Sequence, residues 1–249
     1  MGNALEVINI SKKFINSAFF SRKPIEKSVL DNINFKIFDG HIFGLAGLNG
    51  IGKTTIIKII LGLLREDCGE VLISGVSNKH PSSRKSVYYL PERFYPSQYL
   101  TGYEFLDLSL SFYGKKLDKK KTSLVCEKMA FDAKVLDQVV RKYSKGMGQK
   151  LGLISCLLSD AKLLILDEPM TGLDPKARVV LKNALKEYAN NGGTVFFSSH
   201  ILDDIEEICD KIAVLHDGRI CFDGSPDEFM KKYRESKAEK AFLKCINSL

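Results

Sequence analysis

The sequence predicts an α/β fold in which helices flank a sheet with substantial parallel pairing. Three observations carry this expectation. Strand-like and helix-like periodicities alternate along the 249 residues, and a glycine-rich loop of phosphate-binding type stands between a strand and a helix. From about residue 95 to 160 the pattern turns purely helical, as an insertion into a strand-rich core.

Taken in order, alternating apolar and polar residues predict strands at 5–10 and 29–38, with 15–28 read as a loop between them. Residues 42–46 make a short apolar strand, 54–64 have helical length, and 70–74 resume strand character. Within the helical stretch Thr101 and Glu104 form a capping box, Gly114 stops the first helix and Asp118 caps the next. Strands return at 162–166, 194–199 and 211–215. Asp174 followed by Pro175 caps a helix over 175–190, which the Asn-Asn-Gly-Gly run at 190–193 ends. Asp217-Gly218 is a two-residue hairpin signal, and Ser225-Pro226-Asp227-Glu228 opens a last helix that runs into a basic tail.

Composition bounds the class. With 45% hydrophobic and 27% charged residues the chain is globular rather than disordered. The longest apolar runs are broken by Lys58, Asp160 and Lys162, short of a membrane span, and the first ten residues lack the layout of a secretory signal. Six Cys stand apart with no C-x-x-C pair, which argues against a disulfide framework or zinc site and for small buried apolar groups in a reducing cytosol. The net charge of +7 suggests nucleic-acid binding until it is located. Residues 115–121 hold five Lys against one Asp, and 231–249 hold six basic residues against two Glu; the rest is balanced. Both patches read as solvated helix faces, with contact to anionic lipid headgroups as the sharper alternative.

The strongest chemical signal is Gly47-Leu-Asn-Gly-Ile-Gly-Lys-Thr-Thr55, a G-x-x-x-x-G-K-T loop. Its glycines let backbone N–H groups curl around phosphates at a helix N-terminus, so Asn49, Gly50, Gly52, Lys53, Thr54 and Thr55 are candidate nucleotide contacts. Lys53 reaches the β- and γ-phosphates, and the Thr54 hydroxyl binds magnesium. Residues 163–168 form an apolar strand ending in two carboxylates. Asp167 suits magnesium, directly or through a water, and Glu168 is placed to polarise the water that attacks the γ-phosphate.

Some twenty residues before Asp167, Tyr143-Ser144-Lys-Gly146-Met opens a helix. Here the sequence resembles the ATP-binding cassette ATPases, whose signature LSGGQ occupies that place in the order of motifs; Ser144 and Gly146 match its second and fourth positions. The resemblance implies a P-loop NTPase cassette with a mixed sheet core, an antiparallel β subdomain and an inserted helical subdomain. The cassette would span 1–230, the helical subdomain about 95–160, and 231–249 a basic helical tail. It also implies that Thr171-Gly172-Leu173-Asp174 contacts an opposite subunit, that His200 is the switch histidine at the γ-phosphate, and that Phe14 stacks on adenine, with Phe19 and Phe20 as competitors. Where the family commonly carries a Gln near the metal, this chain has Glu92, a pattern shared with drug, antibiotic-immunity and polysaccharide exporters that also carry Tyr-Ser-Lys-Gly-Met.

The resemblance further implies an ATP- and magnesium-dependent ATPase that powers an exporter from the cytoplasmic face of the membrane. Its implied partners are a separate transmembrane permease and a second nucleotide-binding subunit, with no nucleic acid. The alternative is a soluble cassette ATPase acting on nucleic acid or ribosomes, weakened by the single cassette and the lack of sustained heptads between Thr54 and Ser144. A GTPase is weakened by the absence of N-K-x-D.

Overall fold

The computed structural model describes residues 2–16 and 25–248. Strands β1 (Asn3–Asn16) and β2 (Ile25–Phe38) pair antiparallel, and β3 (Ile42–Ala46) leads through the glycine loop into helix α1 (Lys53–Ile60). Then come β4 (Cys68–Ile73), β5 (Val76–Ser77) and β6 (Val87–Leu90). The helical stretch holds α2 (Gly102–Ser111), α3 (Lys119–Lys128), two 3₁₀ turns and α4 (Lys145–Leu158). Strand β7 (Leu163–Asp167), α5 (Pro175–Asn190), β8 (Thr194–Ser199), α6 (Leu202–Ile208), β9 (Lys211–His216), β10 (Arg219–Gly224), α7 (Pro226–Tyr233) and α8 (Ala238–Asn247) complete the chain.

Two sheets organise these elements. One is antiparallel in the order β2-β1-β4-β5; the other is mixed, β10-β9-β3-β8-β7-β6, with only β10 antiparallel to its neighbour. The predicted mixed core, antiparallel β unit and helical insertion are therefore all present.

Period-2 alternation sorts the central strands between two cores. On β7, Leu163 and Ile165 join the cluster beneath the antiparallel sheet, while Leu164 and Leu166 join the cluster under the helical insertion. Strand β8 does the same with Phe196 against Val195 and Phe197. Phe35 of β2, Phe43 of β3 and Phe196 of β8 bring the two sheets together, with ring centroids 5.2 Å apart for the first pair and 6.0 Å for the second. The result is one body whose parallel strands all end on the same edge.

The local signals act as the residue types require. Thr101 and Glu104 exchange both bonds of a capping box, with the Thr101 hydroxyl accepting from Glu104 N–H at 3.2 Å and the Glu104 carboxylate from Thr101 N–H at 2.7 Å. Asp118 accepts from Lys120 N–H at 2.8 Å and Asp174 from Ala177 N–H at 2.8 Å. Asp217 and Gly218 both have positive φ, at 44° and 74°, as the tight β9–β10 turn demands.

The structure differs from the sequence reading in three places. Residues 15–16 and 25–28, expected in a loop, extend the β1–β2 hairpin; the pairing continues through Phe14↔Lys27 to Asn16↔Ile25. Val87–Leu90 is a parallel edge strand on β7. The helix opened at Ser225 stops at Tyr233, where Arg234 turns left-handed (φ 54°), and the separate α8 buries Ala238, Ala241, Phe242 and Cys245 against α6 and α7. The first basic patch is also less free than its sequence suggests, since Lys115 and Lys121 both pair with Asp160.

Replacing Phe43 by Ala should destabilise the fold by about 3–5 kcal/mol in urea unfolding, because a fully buried ring joining both sheets is lost. Thr101→Ala, which removes one cap, should cost about 1 kcal/mol.

Candidate functional site

The site forms where β3, β7 and β8 end. Past Ala46 the chain turns through Gly50 (φ 77°) and Gly52 (φ 120°), both left-handed. A Cβ on Gly52 would also approach Leu30 Cδ2 and Val29 Cγ1 at 3.1 and 3.2 Å, so β2 presses directly on the loop. Gly52 caps α1 with no side-chain bond, and the first intrahelical bond is Ile56 N–H to Gly52 O at 3.0 Å. The N–H groups of Lys53, Thr54 and Thr55 therefore precede the helical ladder and, with the helix dipole, make an anion site.

Lys53 is only 5% exposed; its ammonium donates to the carbonyls of Gly47 (2.7 Å) and Leu48 (3.1 Å) and stands 3.0 Å from Glu168 Oε1. The Thr54 hydroxyl donates to Asp167 Oδ2 at 2.9 Å. Glu168 holds a left-handed backbone (φ 50°), and its Oε2 lies 2.8 Å from His200 Nδ1 and 3.4 Å from the Thr171 hydroxyl that donates to it. Although Glu168 Oε1 is within ion-pair range of Lys53, it accepts no hydrogen bond. Lys53, Thr54, Asp167, Glu168 and His200, each named from sequence, thus form one connected group.

A cavity of about 410 Å³ opens on this group, lined by Asn49, Gly50, Gly52, Lys53, Thr54 and Thr55 with Glu92 and Glu168. Burial pushes the Tyr89 hydroxyl up to about 12, with the carboxylates of Asp167 and Glu92 reinforcing the shift, which puts both acids near the same ring. The donors suit magnesium: Thr54 and Asp167 offer hard oxygens, and the described residues hold no cluster of three or more His, Cys, Asp or Glu that would cage a metal by itself. Magnesium keeps waters and takes phosphate oxygens beside one or two carboxylates.

Ser144 and Gly146 lie elsewhere. Ser144 caps α4 by accepting from Met147 N–H at 3.2 Å, and both residues line a separate cavity of about 440 Å³ together with Glu92, Tyr95, Thr171 and Gly172. Tyr143 anchors this corner: its hydroxyl donates to Val135 O at 2.7 Å. Asp174 lines neither cavity; its carboxylate caps α5. Phe14 is 40% exposed on β1 beside Lys12 and does not line the phosphate-loop cavity, where Val29 stands instead. Phe19 and Phe20 lie outside the described residues.

Sequence reasoning missed Val29, Thr171 as a contact to Glu168, and Ser198. The Ser198 hydroxyl donates to Asp167 Oδ1 at 2.6 Å and accepts from Glu168 N–H at 3.0 Å. The sequence offers only the Ser198-Ser199 pair that ends an apolar run in β8, and nothing in it singles out Ser198.

A family profile described as "ABC transporter" matches residues 30–171. The chain is 36% identical over 231 residues to an uncharacterised ABC transporter ATP-binding protein of Synechocystis, covering 92% of this chain and 64% of that protein. It is 32% identical over 228 residues to the Nod factor export ATP-binding protein I of a Rhizobium species, covering 90% of this chain and 75% of that one. Among solved structures, one described as the ATP binding subunit of an ABC transporter superposes with a TM-score of 0.83 at 28% identity, covering 97% of this chain and 99% of that one. The chain thus spans just under two thirds of the Synechocystis relative. With over half of its residues matched by the profile and relatives above 30% identity along nine-tenths of its length, the chain belongs to the ABC transporter family.

Proposed function

We propose that the chain binds and hydrolyses ATP and, paired with a second cassette, drives a membrane exporter. The observation that carries the hydrolytic step is Glu168, buried beside the phosphate loop with one oxygen toward Lys53 and the other toward His200.

The triphosphate sits on the N–H groups at the start of α1, and Lys53 exchanges its contact with Glu168 for the β- and γ-phosphates. That exchange frees Glu168 Oε1, which accepts no hydrogen bond here, to take a proton from the attacking water. His200 holds the other oxygen and adds a donor near the γ-phosphate. Thr54 and Asp167, with Glu92 nearby, would hold magnesium, which supplies charge neutralisation on the phosphates.

Pairing is supported by the separation of the two cavities: Ser144 and Gly146 do not line the one that contains Lys53. Their helix start completes the site of an opposite copy, with Asp174 near that contact. Phe14 remains the proposed adenine platform. Among the described residues no helix is long and apolar enough to cross a membrane; the receiving subunit is a separate permease, docked at the cytoplasmic face through the helical insertion near Glu92. Export is supported by the Nod factor export relative and by Glu92 and Tyr-Ser-Lys-Gly-Met.

Glu168→Gln should keep ATP binding, lower turnover by about 10²–10⁴-fold and leave an ATP-held dimer on size exclusion; undiminished turnover sinks the hydrolytic reading. His200→Ala should lower turnover by about tenfold or more while ATP affinity stays within about twofold. Equal losses in both measurements would remove its proposed role.

A further inference from the structure

We propose that Ser198 is a positioning residue that locks Asp167 and Glu168 into one arrangement, so that the metal-side carboxylate and the hydrolytic carboxylate are set by a single hydroxyl. The inference rests on the ATPase reading and assigns a function to a side chain that the phosphate loop and the signature leave out.

The geometry leaves Ser198 little choice. Its residue is fully buried on β8, directly across the parallel ladder from Asp167 on β7. A serine hydroxyl has one proton to donate and two lone pairs to accept with. Glu168 N–H takes an acceptor position at 3.0 Å, and the single proton goes to Asp167 Oδ1 at 2.6 Å, the short distance of a charge-assisted bond. No water is needed to satisfy either partner.

This geometry acts on the chemistry in two ways. Because Oδ1 is committed to Ser198, Asp167 presents Oδ2 to the phosphate loop, where the Thr54 hydroxyl meets it at 2.9 Å. The carboxylate is thereby held in the rotation that offers one oxygen to the metal side. The second effect concerns Glu168, whose φ of 50° is a conformation that residues with a Cβ seldom adopt. Its N–H is held by Ser198, which fixes the peptide from which the Glu168 side chain leaves toward Lys53 and His200. Ser198 touches neither the nucleotide cavity nor Lys53, so it acts only through the two acids.

The test compares Ser198→Ala and Ser198→Thr in the full chain. ADP affinity is measured by calorimetry in EDTA and again with magnesium, alongside kcat, KM and the melting temperature. Ser198→Ala should bind ADP in EDTA within about twofold of the unaltered protein, lose about tenfold of the gain that magnesium confers, and lose about 10–100-fold in kcat with a smaller change in KM, the scale expected for a lost partner of a metal-binding carboxylate. Ser198→Thr keeps the hydroxyl and should restore both. The proposal is overturned if Ser198→Ala retains the magnesium gain and kcat, or if Ser198→Thr melts normally yet shows both losses. Should Ser198→Ala not fold, Ser198→Cys, which keeps the size and weakens the donor, stands in under the same criteria. An unaltered protein with neither turnover nor a magnesium gain removes the ATPase reading along with this one. Normal turnover in both the unaltered and Ala forms removes only this one.

Discussion

Lys53 and Glu168 are buried side by side, 5% and 6% exposed, and the cost of taking two charges out of water governs what surrounds them. Each ion loses several kcal/mol of hydration, and only close partners return it. Lys53 finds Glu168 and two loop carbonyls; Glu168 finds Lys53, His200 and Thr171. Those partners come from the ends of β3, β7 and β8, so the pair can be buried only if three strands finish at one edge. The parallel order β3-β8-β7, with α5 joining β7 to β8, satisfies that condition, and the chain leaving β3 points the start of α1 at the same place. The charge pair and the sheet topology are thus two sides of one constraint, and removing either partner leaves a buried charge uncompensated.

The arrangement also explains why one chain holds two separate cavities. The phosphate-loop cavity is built on the sheet edge, whereas Ser144 and Gly146 sit on α4, whose register is set by packing inside the helical insertion. Tyr143, the departure from the family's Leu, ties that corner to the 3₁₀ turn at Ala133–Asp137 through its hydroxyl. Glu92 lines both cavities, so it stands between the corner that holds Ser144 and the phosphate loop.

The features legible in the sequence were the local ones. The glycine loop, the caps at Thr101, Asp118 and Asp174 and the turn at Asp217-Gly218 declare themselves within four or five residues, because backbone conformation and nearby N–H groups demand those side chains. The strand Val87–Leu90 did not: four residues carry too little pattern, and their strand character comes from pairing with β7 across more than seventy positions. The hairpin extension at 15–16 and 25–28 was hidden for the same reason, since it shows no apolar–polar alternation of its own and its strand character comes from the pairing of β1 with β2. Ser198 is the clearest case, a serine whose partners are chosen by the β7–β8 ladder and by nothing in its own neighbourhood.

On the proposed function, charge balance would set which form of the nucleotide the pocket favours. Glu92 and Glu168 line the cavity against one ammonium, Lys53, and Asp167 lies buried behind the lining residue Thr54, while burial and the carboxylates of Asp167 and Glu92 raise the Tyr89 hydroxyl. A bare triphosphate entering such a pocket would meet repulsion from three acids and attraction from one lysine and a helix start. A triphosphate that carries a divalent cation reverses that balance, because the same acids then face positive charge. Glu92 in place of the family's common Gln strengthens the effect by one full charge. On the function proposed above, the pocket would disfavour free nucleotide relative to the metal complex, and the hydroxyls of Thr54 and Ser198, one on each oxygen of Asp167, set the orientation of that carboxylate.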